Sequence, residues 1–288
     1  MQELSNLYGR TGNAAAGERI AREAYQVEVG FSDNRPTRNL LTAAGSLADR
    51  LREGGNPKAA NPYYEIAAKA GEELVKLDAS APSPKVDLAI LYLHQAYGYQ
   101  TLHQFPEALQ STRRSIALLE AAIAVSPGNK TLPVMLADHS TTLAELLFET
   151  GDLTASRQEI ERTGAIYTKL AADDPNDLFV RQGEVCVAKL LLRIASRQSD
   201  WGAARVHAQD ALTQLASLEK EQPKEISFLT LEGETLGYLV AVYEGLQLPQ
   251  ETQKTVQRCL QVWDRVQALR PLTEEEQGYR KPCTESVR

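Results

Sequence analysis

Apolar and polar positions along this chain recur with two nested periods. Within segments of about 20 residues the apolar positions follow the three-to-four spacing of an amphipathic helix, and that length corresponds to about 30 Å of helix. Residues 85–103 (KVDLAILYLHQAYGYQTLH) predict one such helix, Gln104–Phe105–Pro106 a turn, and residues 107–125 a second helix. Pro106 falls in a first turn, where its missing N–H is tolerated. The same break returns as Gly54–Gly55–Asn56–Pro57, Gly151–Asp152, Ser199–Asp200–Trp201 and Leu248–Pro249, each turn or capping chemistry.

The longer period is 48 residues. Pro127, Pro175, Pro223 and Pro271 stand at that interval and predict where second helices end, since proline cannot continue a helix and disfavours helical geometry before it. Two columns of small residues keep the step: Ala60, Ala108, Ser156, Ala204, Thr252 and, seven positions on, Ala67, Ser115, Thr163, Ala211, Cys259. Seven residues are two helical turns, so the columns share a face. Leu47, Gln95, Leu143, Leu191, Leu239 and, four residues on, Leu51, Tyr99, Leu147, Ala195, Tyr243 mark mostly apolar columns on the first helices.

A fixed period of this length means stacked equal units, and no segment alternates as a strand. The expected fold is all-α, a right-handed α-solenoid of about six antiparallel helix pairs over residues 1–272. A short capping helix opened by the S/T-x-x-E box Thr273–Glu276, then a tail frayed over residues 281–288, completes it. In the first unit only ten residues precede the turn at Thr11–Gly12–Asn13, about half a helix. The expectation is that the chain is the C-terminal part of a longer repeat array or multidomain protein.

Ala96, Tyr99, Ala108 and Pro127 in one unit, and Leu143, Ala144, Leu147, Gly151, Asp152, Ser156, Thr163 and Pro175 in the next, give a pattern that resembles the tetratricopeptide repeat (TPR) in elongated form. The usual repeat is about 34 residues, so each helix here is about two turns longer. Leu192 and Val240 depart from the small residue kept at Ala48, Ala96 and Ala144. The resemblance implies a non-catalytic interaction scaffold whose first helices line a concave groove for a partner protein or peptide. Long-repeat arrays also look like the C-terminal regions of large bacterial serine/threonine kinases, which implies the alternative of a regulatory or partner-recruiting kinase segment. The chain itself has no Gly-rich phosphate loop, H-R-D or D-F-G. A third reading closes six pairs into an α/α toroid enzyme, but the first helices hold no acid pair or Asp-rich motif for one.

Composition narrows the function classes. A net charge of −7 without basic clusters between aromatics gives nucleic acid no purchase. No apolar run approaches the ~20 residues of a membrane span, and MQELSNLYGR lacks a signal peptide's basic start and apolar stretch, so a cytoplasmic location is expected. Cys186, Cys259 and Cys283 are odd in number without CxxC spacing, which predicts neither a disulfide framework nor a zinc site and makes Cys186 and Cys259 core residues. His94, His103, His139 and His207 form no metal-ligating pair, and no cofactor motif is present.

Two surfaces remain as candidates for partner contact. Lys189, Arg193 and Arg197 recur every four residues and suit an acidic peptide or a terminal carboxylate. Alternatively Asp138, Glu145 and Glu149, one unit earlier, neutralise that stripe across the helix stack. The second surface is His94, Tyr97, Gln100 and Thr101, with Phe148 and Tyr238 on neighbouring first helices. Aromatics beside amides suit peptide contact, and half-buried packing is the other reading of Tyr97 and Phe148.

Overall fold

Twelve α-helices and no strand make up the described residues of the computed structural model, 14–32 and 35–285. They are α1 (Ala14–Ser32), α2 (Arg38–Glu53), α3 (Pro57–Leu77), α4 (Pro82–Thr101), α5 (Phe105–Val125) and α6 (Thr131–Glu149). Then follow α7 (Leu153–Asp173), α8 (Leu178–Arg197), α9 (Trp201–Glu221), α10 (Ile226–Gly245), α11 (Pro249–Leu269) and α12 (Glu274–Glu285). The chain divides into two compact units, Met1–Thr150 and Gly151–Arg288. In the first, α2–α3 and α4–α5 are hairpins, and α2, α4 and α6 each pack on the helix before them. In the second, α8–α9 and α10–α11 are hairpins, and α8, α10 and α12 do the same. The expected helix at residues 1–10 and the turn at Thr11–Asn13 lie outside the described residues.

The turns show why the hairpins form where they do. Second helices α3, α5, α7, α9 and α11 begin at Pro57, Phe105, Leu153, Trp201 and Pro249 and run 21 residues each. Two residues before each start the backbone turns left-handed, at Gly55, His103, Gly151, Ser199 and Gln247. The intervening Asn56, Asp152 and Asp200 accept hydrogen bonds from the N–H groups of Ala59, Ala155 and Ala203, satisfying one orphan donor per helix. At the other end α5, α7, α9 and α11 stop two residues before Pro127, Pro175, Pro223 and Pro271.

Both small columns are buried. Ala67, Ser115, Thr163, Ala211 and Cys259 are all 0% exposed. Small side chains there let the next helix approach, and the polar ones are satisfied: the Ser115 hydroxyl donates to the Ala89 carbonyl of α4 at 2.7 Å and also meets His139 Nδ1 of α6.

The cysteine expectation is overturned in the second unit. Cys259 of α11 and Cys283 of α12 form a disulfide with Cα atoms 6.2 Å apart, while Cys186 takes no part in a disulfide and is half-buried. The odd count concealed the pair because the third cysteine belongs to neither helix. Residues 281–285, expected to fray, continue α12, and Cys283 is fully buried. The capping box forms: Thr273 Oγ1 accepts the Glu276 N–H at 3.2 Å, and Glu276 Oε2 accepts the Thr273 N–H at 2.8 Å. Arg270 grips both oxygens of Glu276 (2.8 and 2.6 Å), and this guanidinium holds the carboxyl down at about 2.

Candidate partner-binding groove

In the first unit α2 and α4 are first helices of successive hairpins and lie side by side. A cavity of about 590 Å³ opens between them, with Gly45, Ile90 and Leu91 among its lining. A Cβ on residue 45 would stand 2.9 Å from Leu91 Cδ1, so glycine is what lets the helices come this close. Two side-chain pairs link α2 to α4 along this face. Arg38 donates twice to Asp87, at 2.6 and 3.0 Å, and His94 Nδ1 stands 2.9 Å from Asp49 Oδ2.

These groups are fixed from behind. Asp49 accepts the Tyr64 hydroxyl of α3 at 2.7 Å, and burial together with that carboxylate pushes the phenol far up, keeping it a donor. Arg52 donates to the same hydroxyl at 3.3 Å and holds its guanidinium 5.9 Å from the Tyr97 ring centroid, a cation–π contact. Tyr97 stacks on His94 with centroids 6.4 Å apart, and its hydroxyl lies 3.5 Å from Thr142 Oγ1 of α6. Beside it, burial raises the Asp138 carboxyl and Glu145 adds to the effect.

Of the residues singled out from sequence, His94 and Tyr97 therefore line one cavity. Gln100 is half-buried further along α4, Thr101 is exposed, and Phe148 is buried at 5% exposure. Sequence reasoning did not find Asp49, Arg52 or Asp87. A signal for such rungs exists: Asp49 and His94, Tyr97 and Thr142, and Lys189 and Glu234 are each 45 residues apart, one repeat less about one helical turn.

In the second unit the basic stripe lies on α8. Lys189 Nζ stands 2.6 Å from Glu234 Oε2 of α10, with both side chains 12% exposed. Arg193 is half-buried and Arg197 exposed. Tyr238 of α10 is half-buried, its ring 6.1 Å from that of Tyr279 on α12. Burial, then the Glu234 carboxylate, push the Tyr279 hydroxyl up against a smaller opposing pull from Lys189 and Arg193, which places these groups in one electrostatic neighbourhood.

Ser115 and His139 bring a hydroxyl and an imidazole together, 0% and 3% exposed. Burial pushes the imidazole down to about 4. Among the described residues no group of three or more His, Cys, Asp or Glu could hold a metal ion, and no helix is long and apolar enough to cross a membrane.

No protein-family model matches the sequence, and no curated protein matches it. Solved structures do. BtubC (BKLC) from P. vanneervenii is 18% identical, with 91% of this chain and 95% of that one covered and a TM-score of 0.65. A putative kinesin light chain from Podosopora anserina with nearly identical TPR-like repeats is 17% identical, over 77% of this chain and 94% of that one, at a TM-score of 0.54. PilF from Pseudomonas aeruginosa is 12% identical, over 93% and 94%, also at 0.54. At these identities the likeness is one of fold, and that fold is a TPR-like α-solenoid.

Proposed function

We propose that this chain is a non-catalytic scaffold that holds a partner protein or peptide against its first helices. The observation that carries the reading is the α2–α4 cavity, which sets apolar Ile90 and Leu91 beside the charged or aromatic Asp49, Arg52, His94 and Tyr97. Apolar surface supplies affinity and fixed polar groups supply orientation, and both stand here on helices rather than loops. Arg52 over Tyr97 makes a preorganised amphipathic contact of the kind that dominates peptide interfaces. Gln100 extends this surface along α4, whereas Phe148 is buried and offers no surface to a partner.

On the second unit we read Lys189, Arg193 and Arg197, with Tyr238, as the contact for acidic residues of the partner. Arg197 carries the charge outward, and the Lys189–Glu234 pair fixes the inner end.

A random-peptide display selection on the purified protein tests the reading. Selected peptides should bind wild type and lose about tenfold or more in affinity on Tyr97→Ala, the size of a hot-spot truncation, while Lys69→Ala leaves binding unchanged. Acidic members of the selection should be lost on reversing Lys189, Arg193 and Arg197 to Glu. A selection that enriches nothing, or peptides indifferent to both changes, would refute the scaffold assignment at these residues.

A further inference from the structure

Helix α12 takes the place of a first helix. First helices α6, α8 and α10 start at Thr131, Leu178 and Ile226, and α12 starts one step further at Glu274. It runs 12 residues where α6 runs 19 and α8 and α10 run 20. Its docking register matches as well. In the first unit Ser115 of the second helix α5 touches the Ala89 carbonyl behind it and His139 of the first helix that follows. Three 48-residue steps on, these positions are Cys259, Gly233 and Cys283. Cys259 Sγ lies 4.0 Å from the Gly233 carbonyl oxygen and is bonded to Cys283. A covalent bond stands where an internal repeat uses a hydrogen-bonding contact.

Few buried side chains besides Cys283 hold α12. Glu276 and Cys283 are the buried residues of α12, whereas α6 buries eleven. It is also held by the N-terminal box with Arg270, by the Thr230 hydroxyl 3.5 Å from Glu276 Oε1, by Tyr279 against Tyr238, and by the surface bonds of Arg280 to Asp264 at 2.8 Å and to Gln267 at 3.0 Å. Exposed pairs of that kind contribute little. Beneath α12 lies apolar surface of the preceding hairpin, with Leu236, Val240, Val262 and Trp263 in the same buried cluster as Cys283.

We propose that the Cys259–Cys283 disulfide is a redox latch on α12. Oxidised, it holds α12 on the α10–α11 hairpin. Reduced, it lets α12 leave, bares the α10–α11 face and withdraws Tyr279 from Tyr238. The chemistry is thiol–disulfide exchange with a dithiol reductant. One thiolate attacks a protein sulfur, the protein S–S bond breaks and a mixed disulfide forms. The other protein sulfur leaves as a thiolate in that step; the reductant's second thiol then attacks the reductant sulfur of the mixed disulfide and releases the protein sulfur still bound, leaving two protein thiols and the reductant as a disulfide. Both cysteines are 0% exposed, so exchange waits on local opening of α12. The bond therefore persists in oxidising surroundings and yields slowly in reducing ones.

Hydrogen exchange on the full chain, oxidised with glutathione disulfide and then treated with dithiothreitol, tests the latch. Peptide mapping should join Cys259 to Cys283 in the oxidised sample. After reduction the α12 amides should exchange on the order of a hundredfold faster, the effect of releasing a cross-link over a 24-residue separation, with α2–α6 unchanged. Cys283→Ser should reproduce the fast exchange without reductant. Cys259→Ser, the residue the same column holds at Ser115, should do so too and guards against a folding defect at position 283. Failure to find Cys259 joined to Cys283 after oxidation would overturn the proposal. So would α12 exchange that reduction leaves unchanged, or loss of protection spread over all of α7–α12.

Discussion

Ser199 holds the same left-handed backbone conformation as Gly151, with φ of 56° against 85°, at the same place in successive hairpin turns. Glycine adopts it without a steric penalty, whereas another residue is strained by about 1–2 kcal/mol. Ser199→Gly removes that strain and adds back some unfolded-state entropy. A net gain of about 0.5–1 kcal/mol is expected. Urea unfolding of the variant checks it, and an unchanged midpoint would mean the turn relaxes around serine.

The next position in the turn makes a second prediction. Asp152 and Asp200 cap α7 and α9, but Leu248, 36% exposed at the start of α11, offers no acceptor. Leu248→Asp should supply the missing bond and place a carboxylate at the positive end of the helix, for about 1 kcal/mol. A thermal melt reads the gain. No gain would show that the α11 N–H groups are already satisfied by water.

These turns also show what could be read from the sequence. Glycine permits the left-handed turn and proline fixes φ, both locally, so helix starts and ends were legible from Gly55, Gly151 and Pro127 without knowledge of tertiary contacts. The small columns were legible too, because Ala108 and Ser115 recur at a fixed step and the step reports close approach. The cavity was less so. His94 and Tyr97 stood out by type, but Asp49 and Arg52 look like ordinary surface charges until neighbouring first helices are set side by side. The offset of that alignment, 45 rather than 48 residues, depends on how the helices slide past each other. The disulfide was hidden for the same reason: Cys259 and Cys283 meet only once α12 docks in the register of a first helix.

Close approach is itself testable at Gly233. A Cβ there would stand 2.6 Å from Trp263 Cε2, and Trp263 is fully buried with no room to withdraw. Gly233→Ala should cost about 1–3 kcal/mol despite alanine's better helix propensity. Gly278→Ala in α12, where nothing lies within 4 Å, should be neutral or stabilising by up to about 1 kcal/mol. Equal effects of the two substitutions would mean that the α10–α11 hairpin yields to overpacking.

His139 gives the fold a calculable acid sensitivity. It is 3% exposed against Ser115, and burial drives its pKa from 6.5 down to about 4, so the folded chain keeps the imidazole neutral while the unfolded chain protonates near pH 6.5. The unfolded state therefore binds more protons between these two values. Stability contributed by the neutral ring is complete above pH 6.5 and is lost as pH falls towards 4, by about 1.4 kcal/mol per pH unit. His139→Asn keeps a hydrogen-bonding partner for Ser115 but cannot titrate. Its deficit relative to wild type at pH 7 should accordingly shrink by about 2 kcal/mol at pH 5, measured as the difference in urea unfolding free energies. A deficit independent of pH would mean that the folded chain accommodates the imidazolium, through local opening of the α4–α5–α6 packing around it.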